Sequence, residues 1–346
     1  IDMHADYIFS PSSLFYELTE NVGHIAPGSV IGNHDPKIVT DCMLDCWNVA
    51  AQWQADAIHY MIEKKGVQAI FSHFHNVDMQ EHRFIRFMTK GDKEYDKEFG
   101  AREEEQYRKF LDDVYMQTDR YLGSFLHLLD EGWTIIITAA HAQVAPRYMP
   151  PAIGDMSGLN VGLMEELGYT VMQRDAQGQK TAEVDWSKTR AFAMQATSIY
   201  LNLKGRWETG IVDAADQYEL EEQIMTDLYG YKDPQTGKRV IALALRNKDA
   251  ILLGIGGPKA GDIIFWTAEG YNYAHADALS TAFGEAGTSC SPIFIAAGAG
   301  VKKGYYTTRY IREVDVAPTA AVLGGVRMPR ECEGAPVYQI LDWPQA

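Results

Sequence analysis

Between residues 42 and 144 the chain alternates between two hydrophobic periods that cannot belong to one kind of secondary structure. In 42 to 64, "CMLDCWNVAAQWQADAIHYMIEK", the residues Leu44, Trp47, Ala51, Ala55, Ile58 and Ile62 recur at helical spacing, and Lys65-Gly66 stops the pattern. "VQAIFSHFHNVD" follows and reads as a buried strand that runs into a loop over 76 to 82. Residues 103 to 131 form a long amphipathic helical pattern closed by Gly132. "TIIITAAHAQV", 134 to 144, then begins with five β-branched residues, the side chains that suit a pleated sheet best. Helix, strand, long helix, strand is the rhythm of a parallel sheet with helices packed on its faces.

The same reading places strands at 191 to 203, 262 to 268 and 292 to 297, and helices at 159 to 167, 214 to 228 and 315 to 324. The polar stretch "QRDAQGQKTAEVDWSKT" reads as a surface excursion, and "YKDPQTGKR" as a loop with Pro and Gly. No repeat and no linker interrupts the 346 residues, so a single α/β domain over 1 to 346 is expected, with 145 to 190 an insertion or lid. A hydrophobic share of 46% is enough for a sizeable core.

Composition excludes several classes of function. The net charge of −16 makes a nucleic-acid polymer or an anionic membrane surface an unfavourable partner. Four scattered cysteines cannot build a disulfide scaffold, and Cys42 and Cys46 are expected to share a helix face. No apolar run approaches a membrane span and no signal peptide is present, so the expected compartment is cytoplasmic. The chain opens "IDMHADYIFS" without an initiator Met, so a processing boundary and a lost targeting segment remain open.

Among residues able to carry chemistry, Asp78 and His82 stand four apart just past the end of a predicted strand, and His141 leaves its own strand at the equivalent end. In parallel sheets the loops at that edge converge on a ligand crevice. His275, in "EGYNYAHADALST", is a fourth candidate. One carboxylate and two or three imidazoles suit Zn²⁺, although isolated histidines after strands are more often structural or exposed. His73 and His75, two apart on one strand, face the same side and are expected to pack or to support a ligand. His4, His24, His34, His59 and His127 have no partner that the sequence names. "GIGGPKAG" lacks the Gly-Lys-Ser/Thr ending of a phosphate loop, and no Gly-x-Ser-x-Gly elbow is present. Asp315 is expected near a helix N-cap with Pro318 in the first turn, as architecture.

With these residues collected, the chain resembles the C-terminal two-thirds of the alkaline phosphatase superfamily, in its type I phosphodiesterase and nucleotide pyrophosphatase branch. The resemblance rests on "DCWNVAAQWQADA", "FSHFHNVDMQEH", "YMQTDRYLGSFLHLLDEGWTIIITAAHAQV", "IYLNLKGRWETGIVD", "AEGYNYAHADA", "PIFIAAGAGVKKG" and "EVDVAPTAAVLGGVRMP", in that order. It implies a three-layer α/β fold with a mostly parallel central sheet and helices on both faces. It also implies one zinc held by Asp78, His82 and His275.

A second zinc in that family is held by an Asp-His pair after a strand, an early Asp and a Thr or Ser nucleophile. Here the pair reads Ala140-His141, followed by Ala142 where the family has Gly, so a carboxylate has been removed from the corner that keeps His141. Residues 1 to 40 match neither the early Asp nor the nucleophile; "IDMHADYIFSPSSLFYEL" resembles the family's middle region. A fragment, an omitted segment or a split protein would each account for this. No catalytic residue can therefore be named.

The implied activity is metal-dependent hydrolysis of phosphate esters, by in-line attack of the hydroxyl nucleophile and hydrolysis of the phospho-enzyme. As given, the chain would be incomplete or impaired. The alternative is a degenerate member that binds a metal and a phosphorylated or sulfated ligand without turning it over. Expected partners are a small phosphorylated substrate and either a homo-oligomer or a second chain that supplies the N-terminal segment. The substrate itself cannot be read from the fold.

Overall fold

The structure is a computed structural model that describes residues 5–25, 36–85, 101–142, 159–160, 162–194, 198–268, 278–279 and 292–342. In chain order the α-helices are α1 (Ser13–Asn21), α2 (Pro36–Lys65), α3 (Asn76–Phe84), α4 (Ala101–Gly123), α5 (Gly162–Glu166), α6 (Gln217–Gly230), α7 (Asn247–Ala250) and α8 (Val316–Leu323). The strands are β1 (Thr134–Thr138), β2 (Leu159–Asn160), β3 (Met172–Arg174), β4 (Lys180–Val184), β5 (Ala191–Met194), β6 (Ser198–Leu201), β7 (Ile241–Arg246), β8 (Ile263–Ala268), β9 (Ala278–Leu279) and β10 (Phe294–Gly298). Chain contacts divide the protein into two compact units, residues 1–140 with 292–346, and residues 141–291.

In the first unit the helices do most of the packing. Val39, Met43 and Trp47 of α2 meet Tyr107, Phe110, Leu111 and Val114 of α4, and Phe84 at the end of α3 is fully enclosed by them. Ala51 and Ala55 leave room for the Tyr121 ring from α4. The strands β1 and β10 pair antiparallel, from Thr134↔Gly298 to Thr138↔Phe294. Gly298 has φ +110°, and a Cβ there would lie 2.2 Å from the Trp133 carbonyl oxygen, so no other residue fits this end of the ladder. Val337, Ile340 and Leu341 cover one face, against Phe294, Ala296, Val322 and Leu323. At the head of α8, the buried Asp315 carboxylate accepts the N–H groups of Ala335 (3.0 Å) and Arg312 (3.1 Å).

The second unit is built on a sheet in the order β2-β5-β6-β8-β7, with β9 alongside β8. Leu220, Ile224 and Leu228 recur every fourth residue on α6, and that face joins Ile199, Leu201, Ile241, Ile263 and Phe265 in one buried cluster. Arg246 at the end of β7 donates from Nε to Glu221 Oε2 at 2.8 Å, which neutralises the one carboxylate that α6 buries. Asp262 ties two segments together by accepting the Leu201 N–H at 2.8 Å and Arg206 Nη1 at 2.6 Å. The strands β3 and β4 form a separate antiparallel pair within the polar stretch expected to be a surface excursion.

Several elements depart from the sequence reading. The run 191 to 203 is not one strand: β5 and β6 are antiparallel partners, from Ala191↔Leu201 to Met194↔Ser198. A single strand of that length would extend about 43 Å, whereas folding it back lets each half satisfy the other's backbone. Of the described residues in the expected helix 159 to 167, those from 162 to 166 are helical, and Leu159 and Asn160 join β5 instead. Residues 67 to 75, expected as a buried strand, join no ladder among the described residues, and Phe71 is 95% exposed.

The expected loop over 76 to 82 is the helix α3. Its buried face is Asn76, Gln80 and Phe84, spaced by four but with amides in the first two positions, so an apolar pattern search passes over it. Among the described residues the ladders are antiparallel except for β8 with β9, and the mostly parallel central sheet is not among them. No helix among the described residues is long and apolar enough to cross a membrane. The insertion or lid expected over 145 to 190 falls in part on 143 to 158, outside the described residues.

Candidate functional site

The site is positioned by the way the chain leaves α2. Gly66, at φ +65°, ends the helix in the left-handed conformation, with its N–H on Ile62 O and the next N–H on Met61 O. The segment that follows is held from α2 by Gln54, whose Nε2 donates to Ser72 Oγ at 2.9 Å and to the His73 carbonyl at 3.1 Å. Phe74 stacks on Tyr121 with centroids 4.2 Å apart and meets Trp47 edge-on at 5.9 Å, so one ring bridges α2 and α4.

A relay of amides then sets the start of α3. The buried Asn76 donates to Gln117 Oε1, and Gln117 donates in turn to the Leu44 carbonyl at 3.0 Å and to Asn48 Oδ1 at 2.8 Å. A buried amide left unpaired costs about 1–3 kcal/mol, so this relay ties α3 to both long helices as specifically as the rings do. Tyr115 of α4 donates to Glu81 further along α3; burial and the Glu81 carboxylate raise the Tyr115 hydroxyl above its ordinary pKa.

Asp78 lies in the first turn of α3, partly buried, with Oδ2 at 2.6 Å from His75 Nε2. An ionised carboxylate only accepts hydrogen bonds, so Nε2 is the nitrogen that carries the proton. His75 occupies the N-cap position, yet its side chain makes no capping bond. Its ring lies against that of His73, centroids 4.8 Å apart, as their spacing on one side of an extended segment implies.

The four residues expected as metal ligands have different fates. Asp78 and residue 82 stand one turn apart on α3, which is a sharper relation than a loop would give them; the side chain of His82 is outside the described residues. His141 follows β1 as expected. It is half-buried, with Nδ1 3.3 Å from the Ala142 carbonyl, and it belongs to the second unit while Asp78 belongs to the first. The Ala140 beside it is exposed. His275 lies outside the described residues. Among the described residues no group of three or more His, Cys, Asp and Glu side chains could hold a metal ion.

Asp78 offers an oxygen donor whose carboxylate is hydrogen-bonded to His75, and carboxylates that ligate metals are hydrogen-bonded in this way. His59 has the partners that the sequence did not name: Nε2 is 3.1 Å from the Ser124 carbonyl, and the ring lies between Phe125 and His127. That makes it a structural histidine joining α2 to the end of α4.

Comparison with known proteins bears on the fold. The chain is similar to the crystal structure of the alkaline phosphatase PafA, with a TM-score of 0.53 and 17% identity over 88% of this chain and 54% of that one. It thus has the alkaline-phosphatase-like fold and spans about half the length of that chain. No protein-family model matches the sequence, and no curated protein matches it.

Proposed function

We propose that this chain is the metal-binding body of a phosphate-ester hydrolase of the phosphodiesterase and nucleotide-pyrophosphatase kind. The observation that carries the reading is Asp78 at the head of α3, oriented by His75, with His82 one turn further on, in a chain with the alkaline-phosphatase-like fold. Asp78, His82 and His275 would hold one zinc, and His141 would be the remnant of a second site. Bound zinc would neutralise charge on the phosphoryl group and lower the pKa of the attacking hydroxyl. The chain's part is to present the ligands at a fixed spacing on a helix tied to α2 and α4.

The test is elemental analysis of the purified chain together with hydrolysis of a chromogenic phosphodiester with and without Zn²⁺. About one equivalent of zinc, lost on substitution His82→Ala, is the expected result. Hydrolysis that persists after every metal has been stripped overturns the reading.

A second reading is favoured by Ala140. Alanine gives neither charge nor an oxygen ligand at the corner before His141, and a dication there would lack the carboxylate that holds it. On that reading the chain binds a metal and a phosphorylated or sulfated ligand without turnover. Ala140→Asp, in a protein that also has a nucleophile segment, separates the two: a gain in metal content and rate favours the hydrolase, and a gain in neither favours the binder.

The nucleophile and the early carboxylate would come from outside these 346 residues, in the same polypeptide or another. In support, β1 has a ladder with β10 alone among the described residues, and Ile70 and Phe71 stand exposed in the same unit. A strand edge that is unpaired can accept a further strand. Clean monomeric behaviour in sedimentation, unchanged by concentration, would count against supply by a second chain.

A further inference from the structure

We infer that His75 is a positioning residue for the metal site: its Nε2–H fixes the Asp78 carboxylate in the orientation that a zinc ion requires. The inference rests on the metal-binding reading of Asp78. Three observations carry it. The contact is short and charge-assisted, 2.6 Å from Nε2 to Oδ2, and both groups are only partly exposed, with side-chain exposures of 43% and 25%. His75 sits at the N-cap of α3, and its side chain makes no cap bond but meets the carboxylate of Asp78 in the first turn. The residues on either side are anchored as well: Phe74 is stacked on Tyr121, and Asn76 is buried on Gln117. The imidazole is therefore presented from a backbone with little freedom to move.

A carboxylate that ligates a metal needs its free rotation removed before the ion arrives. A hydrogen bond from His75 to one carboxylate oxygen restricts that rotation. An imidazole can donate this hydrogen bond in its neutral form, whereas an ammonium or guanidinium would bring a positive charge beside a dication.

The experiment is competitive titration of Zn²⁺, against a chromogenic chelator, into the purified chain and the variants His75→Ala, His75→Gln and Asp78→Ala, with thermal melting of each. The expected result is a zinc affinity weakened about 10- to 100-fold in His75→Ala, at unchanged stoichiometry and melting temperature. His75→Gln should recover part of it, because its side-chain N–H can still reach a carboxylate. His75→Gln also serves as the informative variant if His75→Ala fails to fold.

Wild-type affinity in both His75 variants, with the ion lost in Asp78→Ala, overturns the positioning role and leaves the metal site standing. Loss of the ion in both His75 variants, as complete as in Asp78→Ala, makes His75 a ligand and also overturns it. Zinc binding that is absent from the wild type, or untouched by Asp78→Ala, overturns the metal-binding reading and the inference with it.

Discussion

The strands β1, "TIIIT", and β8, "IIFWTA", read alike in the sequence, yet they live in different surroundings. β8 lies between β6 and β7 in the second unit, and Ile263, Ile264, Phe265 and Trp266 are all buried on it. β1 pairs with β10 alone among the described residues and is only partly covered, and Ile295 on its partner is 53% exposed. Apolar β-branched residues therefore identify a strand without saying how many neighbours it has. Burial on both faces and both edges is decided by what packs around the strand: among the described residues the second unit gives β8 the helix α6 and ladders with β6, β7 and β9, and the first gives β1 a ladder with β10.

That contrast can be tested from its largest expected effect downward. Phe265→Ala removes a fully enclosed ring and should cost about 3–5 kcal/mol, whereas Ile136→Ala on β1 should cost about 1–2 kcal/mol, both by urea unfolding. Equal costs would mean that β1 is as deeply packed as β8.

The ion pairs should divide the same way. Arg246→Ala leaves the buried Glu221 without its cationic partner, with the Gln217 amide still on its other oxygen, and should cost about 3 kcal/mol. Lys65→Ala, at the exposed pair with Glu17, should change stability by less than about 1 kcal/mol in the same assay. A large effect of Lys65→Ala would show that the α1–α2 contact depends on that pair.

Asp315 sharpens the comparison within the first unit, because its surroundings are closed where β1 is open. Burial works to raise its pKa, but the N–H groups of Ala335 and Arg312 and the Arg312 guanidinium outweigh it and hold the carboxyl below its ordinary value. A depressed folded-state pKa contributes stability that is full above the ordinary carboxylate value near 4 and is lost as pH falls below it. Asp315→Asn should cost about 1–3 kcal/mol at neutral pH and flatten the acid side of the stability profile. A variant with an unaltered acid limb would mean that other carboxylates set it.

The smallest expected effect is on the exposed segment. Phe71→Ser should leave stability within about 0.5 kcal/mol while reducing self-association in sedimentation. Destabilisation beyond that would mean that Phe71 is covered in solution.

Legibility differed from residue to residue. The long helices α2 and α4 could be read because each carries a continuous apolar stripe, and α6 likewise, although α4 ends at Gly123 and not at 131, with a separate 3₁₀ turn over Leu126–Leu129. The helix α3 could not, because two of the buried positions described on it, Asn76 and Gln80, are amides, and the partner of Asn76 is Gln117, 41 residues away in the chain. The fold-back at β5 and β6 was hidden for a related reason: a 13-residue run of mixed apolar character carries no mark that says whether its two halves lie end to end or side by side. In the site, the four-residue step from Asp78 to His82 was visible, but the contact of His75 with Asp78 was not. The spacing placed His73 and His75 on one side and left open what they face.

The sequence by itself determined the local elements with apolar period, the caps around Asp315 and Gly66, and the spacing of Asp78 and His82. These depend on neighbours within a turn or two, and their physics is contained in a short window. Only the tertiary structure decided that α3 is a helix, that β5 and β6 pair with each other, that β1 runs antiparallel to β10, and that an imidazole meets the Asp78 carboxylate. Each of those depends on the partner that a buried amide, an unpaired strand edge or a carboxylate finds, and partners distant in sequence meet only once the chain has packed.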